Sequence, residues 1–182
     1  MEGEVLQIPI RGAEEVVTVR VEDLQEDPSD IVDILKAELA PLELWLELAL
    51  IYFKKGNINA FKAILQEGAD PALETHYPDS KAERIAIVNS LAGYYTTYAA
   101  KQKDKTIKAE FFSQANLNIL KAEKINIADE MTWVGKGVLI LSRADIPRAI
   151  TCFDNALRVN PKCIPGLLGK VFILIQCSLH CI

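Results

Sequence analysis

The sequence predicts an all-α chain of stacked antiparallel helix pairs, led by a short extended or β-like arm, and three observations carry that expectation. Half of the 182 residues are hydrophobic, enough to line one continuous core. From residue 27 onward the apolar positions recur at helical spacing and are punctuated by Gly and Pro. Large aromatic, small and proline residues also return in a set order, which marks an internal repeat.

Residues 4 to 24 alternate around Arg11-Gly12-Ala13-Glu14, with Val5, Ile8, Ile10, Val17, Val19 and Val21 supplying β-branched positions. That pattern reads as two short strands or an extended arm. Two strands alone are marginal in water, so the arm is expected to lean on the helices or on a partner. Asp27-Pro28 opens a helix, because Asp accepts from a free N–H and Pro tolerates the first turn. This helix is expected to carry Ile31, Val32, Ile34, Leu35 and Leu39 and to stop before Pro41.

A second helix is expected from Pro41 to Lys55, closed by Gly56. It is apolar around nearly its whole circumference, so it must be covered on more than one side. The segment Ala60 to Leu65 makes its partner helix, and Gly68 to Ser80, with Pro71 and Pro78, reads as a loop. Ala82 to Gln102 is helical. A solvated linker follows, bearing Lys101, Lys103, Lys105 and Lys108, and then Phe111 to Ile125 as partner helix. Thr132–Ser142 and Pro147–Val159 form a third pair, and Pro165 opens a further first helix. The expected division is an arm over 1–26, one helix and three pairs over 27–162, and a truncated first helix of a fourth pair over 163–182.

The repeat is clearest in TWVGKGVLILSRADIPRAITCFDNALRVNPKC. Trp133 is followed four residues later by Gly137, and Ala149 four later by Phe153; Ala156 and Pro161 come next. Small Gly137 and Ala149 let two helices approach, Phe153 fills the space between them, Ala156 permits contact with the next pair, and Pro161 stops the helix. This is the tetratricopeptide pattern, with a period of about 34. Lys136 and Ile140 depart from it, standing where Leu and Tyr are usual. The same frame places Trp45, Leu48, Ala49 and Tyr52 in one earlier repeat and Leu91, Ala92 and Tyr95 in another. Trp45 and Trp133 lie about 20 residues further apart than two ideal repeats allow, and that excess is assigned to loops at 68–80 and 101–108.

Such pairs cannot bury their apolar faces singly, so they are expected to stack into a right-handed superhelix whose inner surface comes from the first helices. In this frame the inner positions are Leu46, Leu50 and Phe53, then Met131, Val134, Val138 and Leu141. They form a candidate partner groove, filled by a partner segment or by the arm itself. The positions where chaperone-linked tetratricopeptide domains hold a carboxylate carry Leu46, Leu50, Ser90, Met131 and Gly135 here, which disfavours that ligand.

Charge and chemistry narrow the function classes. A net charge of −5, without a clustered basic face, argues against direct nucleic-acid contact. The four cysteines form no CxxC pair and the N-terminus lacks the pattern of a signal peptide, so a reducing compartment is expected. Cys177, His180 and Cys181 offer three soft ligands where structural zinc wants four with paired spacing, so no metal is expected. Gly135-Lys136-Gly137 lies inside a helix and does not cradle phosphate. The apolar stretch from Val171 onward is too short to span a bilayer. No nucleophile–base constellation emerges, so neither an enzyme, a cofactor nor a small-molecule substrate is expected.

The blocks IPIRGAEEVVTVRVEDL, DIVDILKAELAPLELWLELALIYFKKGNINAFKAILQEG, NSLAGYYTTYAA, TWVGKGVLIL and IPGLLGK resemble a known family. They are similar to the N-terminal region of the tetratricopeptide scaffold subunit of the RNA polymerase II polymerase-associated factor complex, in a plant-like form. The resemblance implies a nuclear scaffold of transcription elongation that supports co-transcriptional histone modification. It also implies docking of other subunits of the complex, the namesake and parafibromin-like ones among them, with RNA polymerase II reached indirectly. Members continue for many more repeats, so a chain ending in GLLGKVFILIQCSLHCI is expected to be a truncated or alternatively spliced product whose run Val171–Ile175 lacks a covering helix. The repeat pattern by itself fits equally a generic cytoplasmic tetratricopeptide adaptor.

Overall fold

A computed structural model describes residues 4–179, which fold as helices behind one small sheet. The chain divides into two compact units, one up to Ile87 and one from Val88.

In the first unit, β1 (Val5–Pro9) and β2 (Val16–Arg20) pair antiparallel, with Val5 opposite Arg20 and Pro9 opposite Val16. Gly12, at φ +80°, supplies the left-handed step of the connecting turn, a conformation a side chain would resist. Alternation puts Leu6 and Ile8 on one face, where both are fully buried, and β1 packs against α2. The arm therefore leans on a helix, as a two-stranded sheet in water must.

The helix α1 (Ser29–Ala37) begins where Asp27 accepts from the Ser29 backbone N–H (3.0 Å) and hydroxyl (2.6 Å). These bonds hold the Asp27 carboxyl below its usual range. Leu39 does not extend this helix: at φ 48° it turns the chain left-handed, and the Ala40 N–H returns to the Leu35 carbonyl. The last helical carbonyls are thereby satisfied one turn earlier than the apolar spacing suggests. In α2 (Leu42–Lys54), Trp45, Leu48, Ala49 and Tyr52 fall on one buried face, and Gly56 (φ +80°) ends the run. Asn57 caps α3 (Ile58–Gly68) by accepting from the Ala60 N–H. At Gly68 a Cβ would stand 3.3 Å from Trp45 Cε3, so the missing side chain lets α3 sit against the indole.

The expected loop at 68–80 contains a one-turn helix, α4 (Pro71–Glu74). Asp70 accepts from the Ala72 N–H at its start, and Pro71 needs no donor there. Tyr77 then turns inward, and its buried hydroxyl donates to the Ala40 carbonyl at 2.8 Å. Burial pushes its phenol pKa up, and the neighbouring Trp45 indole N–H partly offsets the rise.

α5 (Lys81–Lys101) begins in the first unit and ends in the second. In the second unit it buries Val88, Leu91, Ala92, Tyr95 and Ala99. The lysine-rich stretch is not a loop beyond Asp104. That carboxylate accepts from the Thr106 and Ile107 N–H groups (2.8 and 3.0 Å) and starts α6 (Lys105–Ile125) at Lys105. Lys105 and Lys108 are thus helical. α5 and α6 are each 21 residues long against 12 and 14 for α7 and α8, so the surplus over an ideal repeat sits inside helices as well as connections. Rings join these two long helices, with Phe111 at 6.0 Å from Tyr95 and 6.2 Å from Tyr98.

Asp129 caps α7 (Glu130–Leu141), and Asp145 caps α8 (Ile146–Val159), whose second residue is Pro147. The core gathers Val134, Ala149, Phe153, Ala156, Cys163 and Ile173. Gly137 and Gly169 of α9 (Ile164–Leu179) face the Phe153 ring so closely that a Cβ would lie 2.8 and 2.4 Å from it. Lys136 departs from the repeat pattern yet has a local role: its ammonium pairs with Glu123 of α6 (2.7 Å) and lies 5.1 Å from the Trp133 ring centre. Across α8 and α9, Lys170 meets Asp154 at 2.6 Å.

Candidate docking surfaces

Helical periodicity decides which side chains of α2 remain outside. Trp45, Leu48 and Tyr52 occupy the inner face, while Leu46, Leu50 and Phe53 fall on the opposite side. Leu46 is half-buried; Leu50 and Phe53 stay 49% and 50% exposed. The Phe53 ring lies 5.2 Å from that of Phe61 on α3, so the outer face carries a small aromatic–aliphatic ridge. Nothing on it can donate, accept or transfer a proton.

The second candidate set lies in the other unit. Met131 and Val138 are 46% and 45% exposed and Leu141 is half-buried, but Val134 is 7% exposed and packs in the core with Ala149 and Phe153. Its assignment to the open surface is corrected. On α7 it stands one turn before Val138, yet it leans toward the pair helix because Gly135 and Gly137 beside it leave α7 close to its neighbours. Val134, Val138 and Leu141 line an apolar cleft of about 770 Å³ together with Phe153 and with Leu168, Val171, Phe172 and Ile175 of α9. The α9 contribution was missing from the groove proposed on sequence. Its signal was there, in glycines at 166 and 169 alternating with large apolar residues. The cleft's one hydroxyl, Ser142, donates back to the Val138 carbonyl at 2.9 Å.

The residues assigned to repeat packing are placed as follows. Trp45, Leu48, Tyr52, Leu91, Tyr95, Gly137, Ala149, Phe153 and Ala156 are buried. Trp133 is half-buried, its indole N–H donating to the Ile127 carbonyl (3.0 Å), and Pro161 is exposed just beyond α8.

A polar cleft of about 730 Å³ in the first unit is lined by Leu24, Gln25, Glu26, Tyr52, Lys55 and Asn57. Its donors are already spent on the chain segment ahead of α1. The Tyr52 hydroxyl donates to the Gln25 carbonyl (2.7 Å), the Asn57 amide to Glu26, and the Lys55 ammonium to Val21. Burial pushes the Tyr52 phenol up, with the Asp27 carboxylate adding to the rise. The Cys152 thiol is likewise pushed up by burial, chiefly, which makes it a small apolar core residue and a poor nucleophile.

Among the described residues no group of three or more His, Cys, Asp or Glu could hold a metal ion. The Cys177–His180–Cys181 candidate falls outside that search, since His180 and Cys181 lie outside the described residues. No described helix is long and apolar enough to cross a membrane.

Helix pairs with buried small–large contacts and an outer apolar ridge define a tetratricopeptide-type helical-repeat protein. Over 91% of its length the chain is 42% identical to "Protein CTR9 homolog" of Arabidopsis thaliana. It is 28% identical over 94% of its length to "RNA polymerase-associated protein CTR9" of Caenorhabditis elegans, and 29% identical over 85% to the protein of that name in Saccharomyces cerevisiae. The chain is similar to the CTR9 proteins, the tetratricopeptide subunit that its sequence blocks resemble. It spans 15% of the length of the Arabidopsis and nematode proteins. No protein-family model matches it.

Proposed function

We propose that this chain is a non-catalytic, protein-binding scaffold segment of a nuclear RNA polymerase II transcription-elongation complex. In this reading it docks other subunits of the complex, the namesake and parafibromin-like ones included. It reaches the polymerase through them and so supports co-transcriptional histone modification, without contacting nucleic acid, membrane or a small-molecule substrate itself. The observation that carries the reading is 42% identity sustained over 91% of the chain with a CTR9 homologue, joined by relatives whose names place them with RNA polymerase.

The physical support is the outer face of α2. Leu50 and Phe53 keep half of their surface in water on a helix whose other side is fully packed. Exposed apolar residues in a contiguous ridge are what a partner helix or strand would cover.

A tagged chain incubated with nuclear extract tests this. Elongation-complex subunits should co-purify, and Leu50→Asp should reduce their recovery several-fold while the far-UV circular dichroism stays helical. Recovery of none of these subunits would favour a generic cytoplasmic tetratricopeptide adaptor. The fission-yeast relative, 28% identical and named "Tetratricopeptide repeat protein 1", states nothing narrower than that.

A further inference from the structure

The helix α9 is built inside out. Its inner face carries Cys163, Gly166, Gly169 and Ile173, of which the glycines abut Ala156 and the Phe153 ring. The large side chains point the other way. Ile164, Leu167, Leu168, Val171, Phe172, Leu174 and Ile175 are each between 46% and 66% exposed. At 3.6 residues per turn these seven fall within one arc of about 160°.

A solvated helix puts charge on such an arc, and this one has none. Lys170 lies on its flank and is already paired with Asp154. Ser178, the exposed hydroxyl near the arc's edge, is bonded to the Leu174 carbonyl (2.9 Å). With a whole large side chain offering ~150–200 Å², the arc exposes on the order of 600 Å² of apolar surface, more than an isolated domain ordinarily leaves in water.

We infer that the occupant of this face is a second copy of the same chain, paired about a two-fold axis with α9 against α9. Two features select a copy over a partner of different chemistry. First, an uncharged face meets its own image without like-charge cost, whereas it offers a charged partner nothing to recognise. Second, two such arcs remove about 1,200 Å² in total, above the ~1,000 Å² that a specific interface needs. The cleft beside the arc, lined by Val138, Leu141, Leu168 and Phe172, gives the pairing helix a concave seat. The inference stands apart from the transcriptional reading, because it concerns only the second unit's own surface.

Analytical ultracentrifugation of the whole chain tests it. At micromolar concentration and above, the wild-type chain should sediment at twice 20.2 kDa. Leu168→Glu/Leu174→Glu should return it to 20.2 kDa. Ile164→Glu should loosen the pair on its own. It places an acid on the first turn of α9, where the helix dipole favours it, so it keeps the test valid if the double variant fails to fold. A wild-type monomer at every concentration overturns the inference. So does a dimer indifferent to both variants, or growth past the dimer into open assemblies.

Discussion

Three glycines in helices make opposite predictions at the residue scale. Alanine is the better helix former by about 1 kcal/mol, so propensity alone favours every Gly→Ala change in a helix. At Gly169 and Gly137, however, the new methyl would sit 2.4 and 2.8 Å from the fully buried Phe153 ring. That ring has no free space to yield into, and overpacking of this kind costs about 1–3 kcal/mol. Gly93, by contrast, is exposed in α5 with nothing within 4 Å of a Cβ. Gly169→Ala and Gly137→Ala should therefore lower the urea midpoint, and Gly93→Ala should raise stability by about 0.5–1 kcal/mol. The role of Gly137 was legible in the sequence through its place in the repeat. That of Gly169 was not, because a close approach between helices is a fact of packing and leaves no local mark. Tyr52 adds a pH signature. Its pKa is raised in the folded chain, so the unfolded chain ionises first as pH climbs. Stability is intact below about pH 10 and declines above it. Tyr52→Phe should flatten that alkaline decline in a thermal-melt series. It should also cost about 1 kcal/mol at neutral pH by leaving the Gln25 carbonyl without its donor.

Among the secondary-structure elements, the sequence was most readable where apolar spacing and a capping residue agreed. α2, α3, α7 and α8 begin and end within a few residues of the expected positions, because Gly56, Asn57, Asp129 and Asp145 punctuate them. It was least readable where composition outweighed capping. Lysines at 101, 103, 105 and 108 look like solvated chain, yet a single carboxylate converts half of that stretch into helix. Asp104→Ala should accordingly cost about 1 kcal/mol and fray the start of α6. Hydrogen exchange would show this as lost protection at Thr106, Ile107 and Lys108, with the middle of the helix unchanged. Had the segment been a loop, the substitution would be silent. Pro71 misled in the same way, since a proline that breaks a helix interior is at ease in a first turn with Asp70 before it.

For the whole molecule, the candidate surfaces follow from faces the helices leave uncovered, and the sequence exposed them unevenly. Leu50 and Phe53 were legible because α2 is apolar all round and only one side can meet its partner helix. Val134 was misread because helical phase alone does not say how far a neighbouring helix leans over it. The lining from α9 was missed as a site because its small residues, not its large ones, face inward. The functional account needs the α2 face to capture protein, and calorimetric titration of the purified chain with purified elongation-complex subunits measures that most directly. It predicts saturable binding to the namesake or parafibromin-like subunit, weakened about tenfold or more by Leu50→Asp with helicity intact, as expected when an interface anchor is lost. Absence of binding to every subunit, or binding indifferent to charges placed at both Leu50 and Phe53, contradicts it.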